Sequence, residues 1–182
     1  IRGITSDTSL FDEIQDMLPE VIPVIEACSQ KKLDAQFFYA GTPKTYDNTI
    51  HLKWEQSTQC EWHVKCFHCG HYNNLGVDNV LLDKPGIWCS KCQGDIDPLY
   101  GCWVEAKESD MAGFRLPYLI IPKRYLDFKE LFWKMRNYDT ASLMNEVFGV
   151  SYDNGKKPIT REQLIEACDK DRHMWNELPQ SF

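Results

Sequence analysis

The sequence predicts an α/β fold in which helices flank a parallel sheet and a four-cysteine zinc ribbon is inserted. Two observations lead to this fold class. Near the amino end, two short predicted strands lie on either side of a helical pattern, and strands that alternate with a helix favour a parallel sheet. Further along, two C-x-x-C pairs are separated by nineteen residues, a spacing typical of zinc sites.

The first 59 residues are predicted to form the main α/β portion. A strand over residues 8–11 is followed by a helix over about residues 19–31 and by a second strand over residues 36–40. Parallel strands need such a crossover connection. Both strands are therefore expected to end at the same edge of one sheet.

Residues 60–105 are predicted to form the zinc ribbon. Two thiolates two residues apart on a tight turn can face one ion, and two such turns close the tetrahedral site that Zn²⁺ prefers. Gly70 and Gly94 follow the turns closely and are expected to relieve their strain. Because so short a segment buries little apolar surface, the ion should be structural. The predicted ligands are Cys66, Cys69, Cys89 and Cys92.

The cysteines and histidines allow two other interpretations of the ribbon. The chain has eight cysteines, which a secreted protein could pair as disulfides, but no secretory signal is evident and we favour metal. A nearby histidine could also replace a cysteine as a ligand, although four thiolates already complete the site. These histidines are His63, His68 and His71.

Residues 106–150 are predicted to return to the main body, and residues 151–182 to form a linker with a last helix. A capping-box pattern marks the start of that helix. The predicted segments are, in order, an extended stretch over 114–121, helices over 127–137 and 140–148, and the last helix over 161–174.

The charge of the chain restricts its function. The formal net charge is −7, which argues against a globally basic nucleic-acid binder because phosphate contact requires positive charge. Residues 115–136 carry six basic groups against two acidic ones, whereas the ribbon carries three against six. The basic stretch is therefore either a DNA-facing surface or a solvated helix face. No apolar run approaches about 20 residues, so no membrane span is expected.

Acidic and small polar residues follow the two predicted strands. Asp12-Glu13 comes after the first strand; in nucleotide-hydrolysing sheets such an aspartate holds Mg²⁺ and a following glutamate can polarise the attacking water. Gly41-Thr42-Pro43 comes after the second strand, at the sheet edge where α/β folds bind ligands. A threonine there could sense a γ-phosphate. This order is typical of neighbouring strands in the core of a P-loop ATPase or helicase.

Five segments of the chain resemble the large subunit of the DNA-packaging terminase of tailed phages. They come in the order of that family, and the similarity runs through essentially the whole chain. The segments are residues 11–16 (FDEIQD), 39–45 (YAGTPKT), 57–62 (STQCEW), 113–117 (GFRLP) and 145–152 (NEVFGVSY).

The resemblance implies a role for each strand-end residue. Asp12 would be the Walker B aspartate on Mg²⁺, and Glu13 would be the catalytic glutamate. Gly41 and Thr42 would lie beside the bound ATP, in the motif that couples nucleotide state to DNA movement. The fold would be a partial P-loop-type parallel sheet, the ribbon an insertion, and residues 151–182 the segment that leads towards a nuclease domain.

The resemblance also implies partners and a location. The partners would be double-stranded DNA, the portal and the small terminase subunit, and the full-length motor would form a homo-oligomeric ring. No membrane would be involved. The protein would act in the host cell cytoplasm, dock transiently on the viral procapsid, and cut the DNA concatemer with a separate nuclease domain.

The phosphate-binding motif of such ATPases does not occur in the chain. There is no G-x-x-x-x-G-K-S/T sequence, so the Walker A cradle is missing. We therefore interpret residues 1–59 and 106–150 as the C-terminal half of an ATPase domain taken from a longer protein. The isolated chain is expected neither to bind ATP tightly nor to cut DNA.

Two alternatives to a terminase remain open. A helicase-like ATPase fragment also suits a D-E-x-Q sequence followed by G-T-P. A non-catalytic zinc-ribbon interaction module is the other alternative, and it predicts no parallel sheet around residues 8–11 and 36–40.

Overall fold

A two-stranded parallel sheet lies at the amino end of the computed structural model, which describes residues 6–29 and 34–153. Strand β1 (Thr8–Phe11) pairs with strand β2 (Gln36–Tyr39), and Phe11 lies opposite Tyr39. The predicted strands and their parallel pairing are confirmed, although β2 ends one residue earlier than expected.

A short helix connects the two strands. Helix α1 (Val21–Glu26) continues as a 3-10 turn at Ala27–Ser29. It begins two residues later than the predicted helix over 19–31. Its first turn has no side-chain cap, and Pro23 is tolerated there because the N–H groups of a first turn have no helical partner. Ile22 of α1 is buried against Phe11 and Ile14, which gives the sheet a small core on one face.

Helix α2 (Thr49–Gln56) follows the parallel sheet and was not predicted. The Asn48 side chain caps it by accepting a hydrogen bond from the Ile50 N–H at 3.3 Å. Of its eight residues only Thr49 is buried, so the helix lacks the apolar stripe on which sequence-based prediction depends.

A charged triad ties α1, β2 and α2 together. The Tyr39 hydroxyl donates to the Glu26 carboxylate, and Lys53 Nζ lies 2.9 Å from Glu26 Oε1 and 4.2 Å from the centre of the Tyr39 ring. Burial disfavours the Glu26 carboxylate, but the hydrogen bonds from Tyr39 and Lys53 outweigh it and lower the pKa of Glu26. Burial and the same carboxylate raise the pKa of Tyr39.

A three-stranded antiparallel sheet forms the ribbon. Strands β3 (Glu61–Lys65), β4 (Tyr72–Asn74) and β5 (Gly101–Val104) lie in the order β4-β3-β5. Trp62 lies opposite Trp103, with ring centroids 5.0 Å apart, and its indole N–H donates to the Pro98 carbonyl at 2.8 Å. Both tryptophans thus pack within the ribbon.

Two short helices with aspartate caps complete the described chain. Helix α3 (Phe128–Asn137) is capped by Asp127, and helix α4 (Thr140–Ser142), capped by Asp139, continues as a π-helix over Leu143–Val147. Both predicted helices of this region are present. No helix in the described ranges is long and apolar enough to cross a membrane.

The predicted extended stretch over 114–121 is interrupted. A 3-10 turn occupies Tyr118–Ile120, because Pro117 ends the extended backbone immediately before it and offers no N–H to continue a ladder. The predicted last helix, over 161–174, lies outside the described residues.

One hydrophobic core joins the ribbon to residues 106–150. The ribbon strands have three to five residues each and cannot enclose a core of their own. The predicted boundary at residue 105 therefore does not separate two cores. The buried residues include Val64, Leu75, Ile87 and Ile96 from the ribbon and Leu119, Leu131, Val147 and Phe148 from the following segment.

Arg115 holds three of the five terminase-like segments together. Its side chain is only 9% exposed. The guanidinium donates to Glu61 Oε2 at 2.5 Å, to the Phe148 carbonyl at 2.7 Å and to the Asn74 side chain. It therefore belongs to the interior and offers no charge to DNA.

Two further lysines of the predicted basic stretch are engaged with acidic groups. Lys123 pairs with Asp95 of the ribbon, and Lys134 lies 2.9 Å from Glu130 on the same helix. Together with the buried Arg115, half of the six basic groups are thus paired within the protein. This pairing argues against a DNA-facing surface on residues 115–136.

We expect the Arg115→Met substitution to lower the free energy of unfolding by about 3 kcal/mol, because it leaves the Glu61 carboxylate and the Phe148 carbonyl without their donor. Urea denaturation of the metal-loaded chain measures the change. Arg124→Met is the matched control: Arg124 is exposed against the Tyr125 ring, and its loss should change stability by less than about 0.5 kcal/mol. Equal effects of the two substitutions would contradict the assignment.

We expect the stabilisation by Glu26 to depend on pH. The folded-state pKa of Glu26 is lowered, so its contribution is present above the ordinary glutamate pKa and is lost as the pH falls through the lower folded value. Glu26→Gln should cost up to about 1 kcal/mol at pH 7, because a half-buried pair is partly screened, and progressively less as the pH falls through the lowered pKa of Glu26. Thermal unfolding across this range tests it, with the exposed Glu108→Gln as control; a constant difference would refute it.

Candidate functional site

Four cysteine sulfurs form one cluster. Two of them lie on the turn between β3 and β4, and the other two lie on the turn that begins at Cys89. All four lie within 4.8 Å of one another. Cys66 Sγ is 3.6 Å from Cys92 Sγ, and Cys69 Sγ is 3.7 Å from Cys89 Sγ. The two C-x-x-C pairs therefore meet, as predicted.

The spacing of the sulfurs fits a tetrahedral zinc ion. Zn–S bonds of about 2.3 Å at tetrahedral angles put neighbouring sulfurs about 3.8 Å apart. A disulfide would need about 2.05 Å, so the cysteines are free thiols and the disulfide alternative fails for them. Within residues 6–29 and 34–153, no histidine joins the group. The four cysteines could hold one metal ion such as zinc.

The two cysteine turns share one backbone pattern. The Cys66 N–H donates to the His71 carbonyl and the Cys89 N–H donates to the Gly94 carbonyl, each at 2.8 Å. The left-handed position is Gly70 (φ 74°) in the first turn but Gln93 (φ 56°) in the second.

The expected role of Gly94 is therefore wrong. Gly94 has no left-handed φ; instead, a Cβ there would overlap with the His68 ring and crowd Cys92 Sγ at 3.2 Å. Close approach, rather than turn strain, requires this glycine.

The surroundings shift the pKa values of two of the thiols in opposite directions. Burial opposes ionisation of Cys89, but the backbone N–H groups of Cys92 and Lys91 outweigh it and lower the pKa of Cys89 to about 6. The Gly94 N–H lowers the pKa of Cys92, yet the neighbouring Cys69 sulfur, burial and the remaining sulfurs together raise it to about 12. A bound cation would remove this conflict because it favours all four thiolates.

Two buried asparagines support the second cysteine turn, and the sequence analysis missed them. Asn73 Oδ1 accepts from the Ser90 N–H at 2.9 Å and from Asn79 Nδ2 at 3.2 Å. Asn79 Nδ2 also donates to the Trp88 carbonyl at 2.8 Å. Both side chains are 1% exposed. Both asparagines precede Cys89 by ten residues or more, so the sequence gives no local signal of their contact with this turn, although outer-shell partners of this kind orient metal ligands.

The two strand-end motifs meet at one edge of the parallel sheet. The Ala40 N–H donates to the Phe11 carbonyl at 2.8 Å and the Ile14 N–H donates to the Ala40 carbonyl at 3.1 Å. Asp12 and Glu13 therefore leave β1 beside the point where Gly41 and Thr42 leave β2. Both carboxylates are exposed, and Glu13 has left-handed backbone angles, φ 50° and ψ 42°.

Gln15 connects the two motifs, and it was not among the predicted site residues. Gln15 Oε1 accepts from the Thr42 N–H at 3.1 Å, and Gln15 Nε2 donates to the Glu13 carboxylate. The D-E-x-Q sequence was the available signal for this residue.

An open depression extends from this edge to the π-helix. Pro43 and Lys44 line one side of it, and Asn145 and Glu146 line the other. The Tyr152 N–H donates to the Lys44 carbonyl at 2.9 Å. The segment after Thr42 is therefore in contact with the carboxy-terminal end of the described chain.

Comparison of the chain with protein-family models, with curated proteins and with solved structures gives no match. The resemblance to terminases therefore stays a prediction that rests on the five segments and their order.

We expect the chain to bind one Zn²⁺ and to lose local structure when a strong chelator removes it. Because the ribbon and residues 106–150 share one core, hydrogen exchange should accelerate in both segments, while β1 and β2 stay protected. Hydrogen exchange with mass spectrometry measures this. Acceleration confined to residues 60–105 would show that the core survives without metal.

We expect the affinity for this ion to depend on the four clustered cysteines. Cys69→Ser should weaken metal binding at least about tenfold, as read from the visible spectrum of a Co²⁺-substituted chain. Cys102→Ser is the matched control, because Cys102 is exposed and lies outside the cluster. Equal losses in the two variants would exclude this site.

Proposed function

We propose that this chain is part of the large subunit of a tailed-phage terminase, the ATP-driven motor that packages double-stranded DNA into procapsids and cuts concatemers. One observation carries the proposal. Asp12-Glu13 and Gly41-Thr42 follow adjacent parallel strands and meet at one sheet edge, which is where α/β folds bind nucleotides and metals.

The carboxylates at this edge suit a magnesium ion. Asp12 and Glu13 are exposed carboxylates, and Mg²⁺ binds to proteins through one or two carboxylates while it keeps several waters. In the proposed enzyme Asp12 holds this ion, which neutralises phosphate charge when bound. Glu13 orients the attacking water, and Gly41 and Thr42 lie beside the γ-phosphate and respond to its loss.

The exposed face of the parallel sheet supports a larger P-loop-type sheet. Leu10 and Phe38 lie opposite each other in register, and they are 72% and 52% exposed. Parallel sheets are normally covered on both faces. We propose that other elements of the complete protein cover this face, and that the strand and loop that bind phosphate, which the chain lacks, extend the same sheet.

The ribbon has a structural role in this proposal. Its acidic balance disfavours contact with phosphates, so the portal and the small terminase subunit are better partners for it than DNA. DNA contact is proposed for the complete motor, which would be a homo-oligomeric ring in the host cell cytoplasm and would dock transiently on the procapsid.

The same sheet edge also supports a helicase-like ATPase, because D-E-x-Q and G-T-P suit that class. The downstream domain separates the two: a terminase carries a nuclease and a helicase carries a second motor domain. A purely non-catalytic ribbon module predicted no parallel sheet around β1 and β2, and the parallel pairing of these strands disfavours it.

ATP hydrolysis by the complete protein tests the proposal. Glu13→Gln should lower kcat by at least about 100-fold, because the residue that orients the nucleophile is lost. Glu20→Gln is the matched control: this glutamate is exposed and precedes α1, so activity should be unchanged. The terminase assignment further requires DNA-dependent turnover and nuclease activity in the same polypeptide.

The 182-residue chain supplies the complementary test. It lacks a phosphate-binding loop and should show no ATP hydrolysis above background. Glu13-dependent hydrolysis by the chain alone would contradict the proposed division of the ATPase domain, and a complete protein insensitive to Glu13→Gln would contradict the ATPase itself.

A further inference from the structure

We infer that Gln15 is a positioning residue that transmits the state of the Glu13 carboxylate to the backbone of Thr42. The mechanistic meaning of this link rests on the proposed function, whereas the link itself is a property of the chain. Its side chain is the direct bridge between the two strand-end motifs, since one end contacts Glu13 and the other contacts Thr42.

The chemistry of the contacts fixes the orientation of the Gln15 amide. The Thr42 N–H is a donor, so the amide oxygen must face it. The Glu13 carboxylate is an acceptor, so the amide nitrogen must face it. A carboxamide offers an acceptor and a donor on separate atoms at one side-chain terminus, which an ionised glutamate, a methionine or a leucine does not.

The surroundings hold Gln15 in this position. Gln15 is 8% exposed, and its backbone carbonyl accepts from Asn48 Nδ2 at 3.1 Å. Because Asn48 caps α2, the helix that follows the sheet also fixes the bridge. Neither end of the amide can leave its partner for solvent without opening this packing.

Gly41 provides the space that the bridge needs. Its φ is not left-handed, so backbone strain does not require glycine at this position. A Cβ on Gly41 would instead overlap with Gln15 Oε1. The glycine of G-T-P is therefore explained by the close approach of the Gln15 amide to the second strand.

The bridge makes the two motifs respond to each other. A hydrogen bond to a charged carboxylate is about twice as strong as a neutral one, and hydrogen bonds in a chain polarise one another. When the Glu13 carboxylate turns towards another partner, the Gln15 amide holds the Thr42 N–H less firmly. The segment after Thr42, which lines the depression with Asn145 and Glu146, is then free to shift.

An NMR double-mutant cycle on the metal-loaded, ¹⁵N-labelled chain tests the link. Glu13→Gln should change the chemical shift of the Thr42 amide when residue 15 is glutamine. In the Gln15→Met background the same substitution should change it at least about fivefold less, because the pairwise coupling is gone. Gln56→Met, at the exposed end of α2, is the matched control and should leave the full response.

A response of equal size in the Gln15→Met background would overturn the inference, since the Glu13 charge would then reach Thr42 without the amide. If Gln15→Met does not give a folded spectrum, Gly41→Ala breaks the bridge from the other strand by displacing Gln15 Oε1. The Thr42 response to Glu13→Gln should be lost in that variant too, and its persistence would equally refute the link.

The complete protein separates this inference from the proposed function. There, Gln15→Met should lower kcat about tenfold while the KM for ATP changes less than about twofold, because a positioning residue acts on the chemical step and not on substrate binding. If Gln15 had only a structural role, Gln15→Met would lower the stability of the protein and change both kcat and KM. A complete protein without ATP hydrolysis contradicts the proposed function, whereas the NMR cycle decides the Gln15 link by itself.

Discussion

The arrangement of residues 60–153 depends on the buried guanidinium of Arg115. It contacts Glu61 at the start of β3, Asn74 at the end of β4 and Phe148 after the π-helix, and these partners are 33 to 54 residues away in sequence. Backbone bonds reinforce this junction, since the Cys60 N–H donates to the Gly113 carbonyl at 2.7 Å and the Arg115 N–H donates to the Cys60 carbonyl at 3.1 Å. A planar group with several donors suits such a junction better than a lysine.

The four-cysteine cluster lies elsewhere in residues 60–153 and contacts the same hydrophobic core. Cys66 and Cys89 are buried members of the core that also contains Leu119 and Leu131, so the ion and the hydrophobic residues fold together. Backbone N–H groups lower the pKa of Cys89, whereas the neighbouring sulfurs raise the pKa of Cys92, and a bound cation would favour the thiolate form of both. We therefore expect metal binding to be coupled to the folding of residues 60–153. The ribbon shares its core with the following segment and does not pack independently of it.

Features encoded by short sequence spacings could be predicted, and features that need distant partners could not. The C-x-x-C pairs, the ends of β1 and β2 and the two aspartate-capped helices follow from neighbouring residues. Helix α2 has no apolar stripe, Arg115 resembles any basic residue in sequence, and Gly94 is required only because His68 approaches it. The D-E-x-Q sequence includes Gln15, but its contact with Thr42 appears only when two parallel strands bring the two residues together.

The four-cysteine cluster and the edge of the parallel sheet differ in character: the first suits a structural role and the second suits chemistry. Cys66 and Cys89 of the cluster are buried, whereas Cys69 and Cys92 are exposed. Four thiolates would complete the coordination of one zinc ion and leave no open position for a substrate, as in structural zinc sites. The sheet edge has the opposite character, because its carboxylates are exposed, Glu13 has a left-handed backbone, and the apolar side chains of Leu10 and Phe38 lack cover within the described residues. Strained and exposed groups of this kind persist where function requires them. The chemistry of the protein should therefore be sought at the sheet edge, and the ribbon has a structural role.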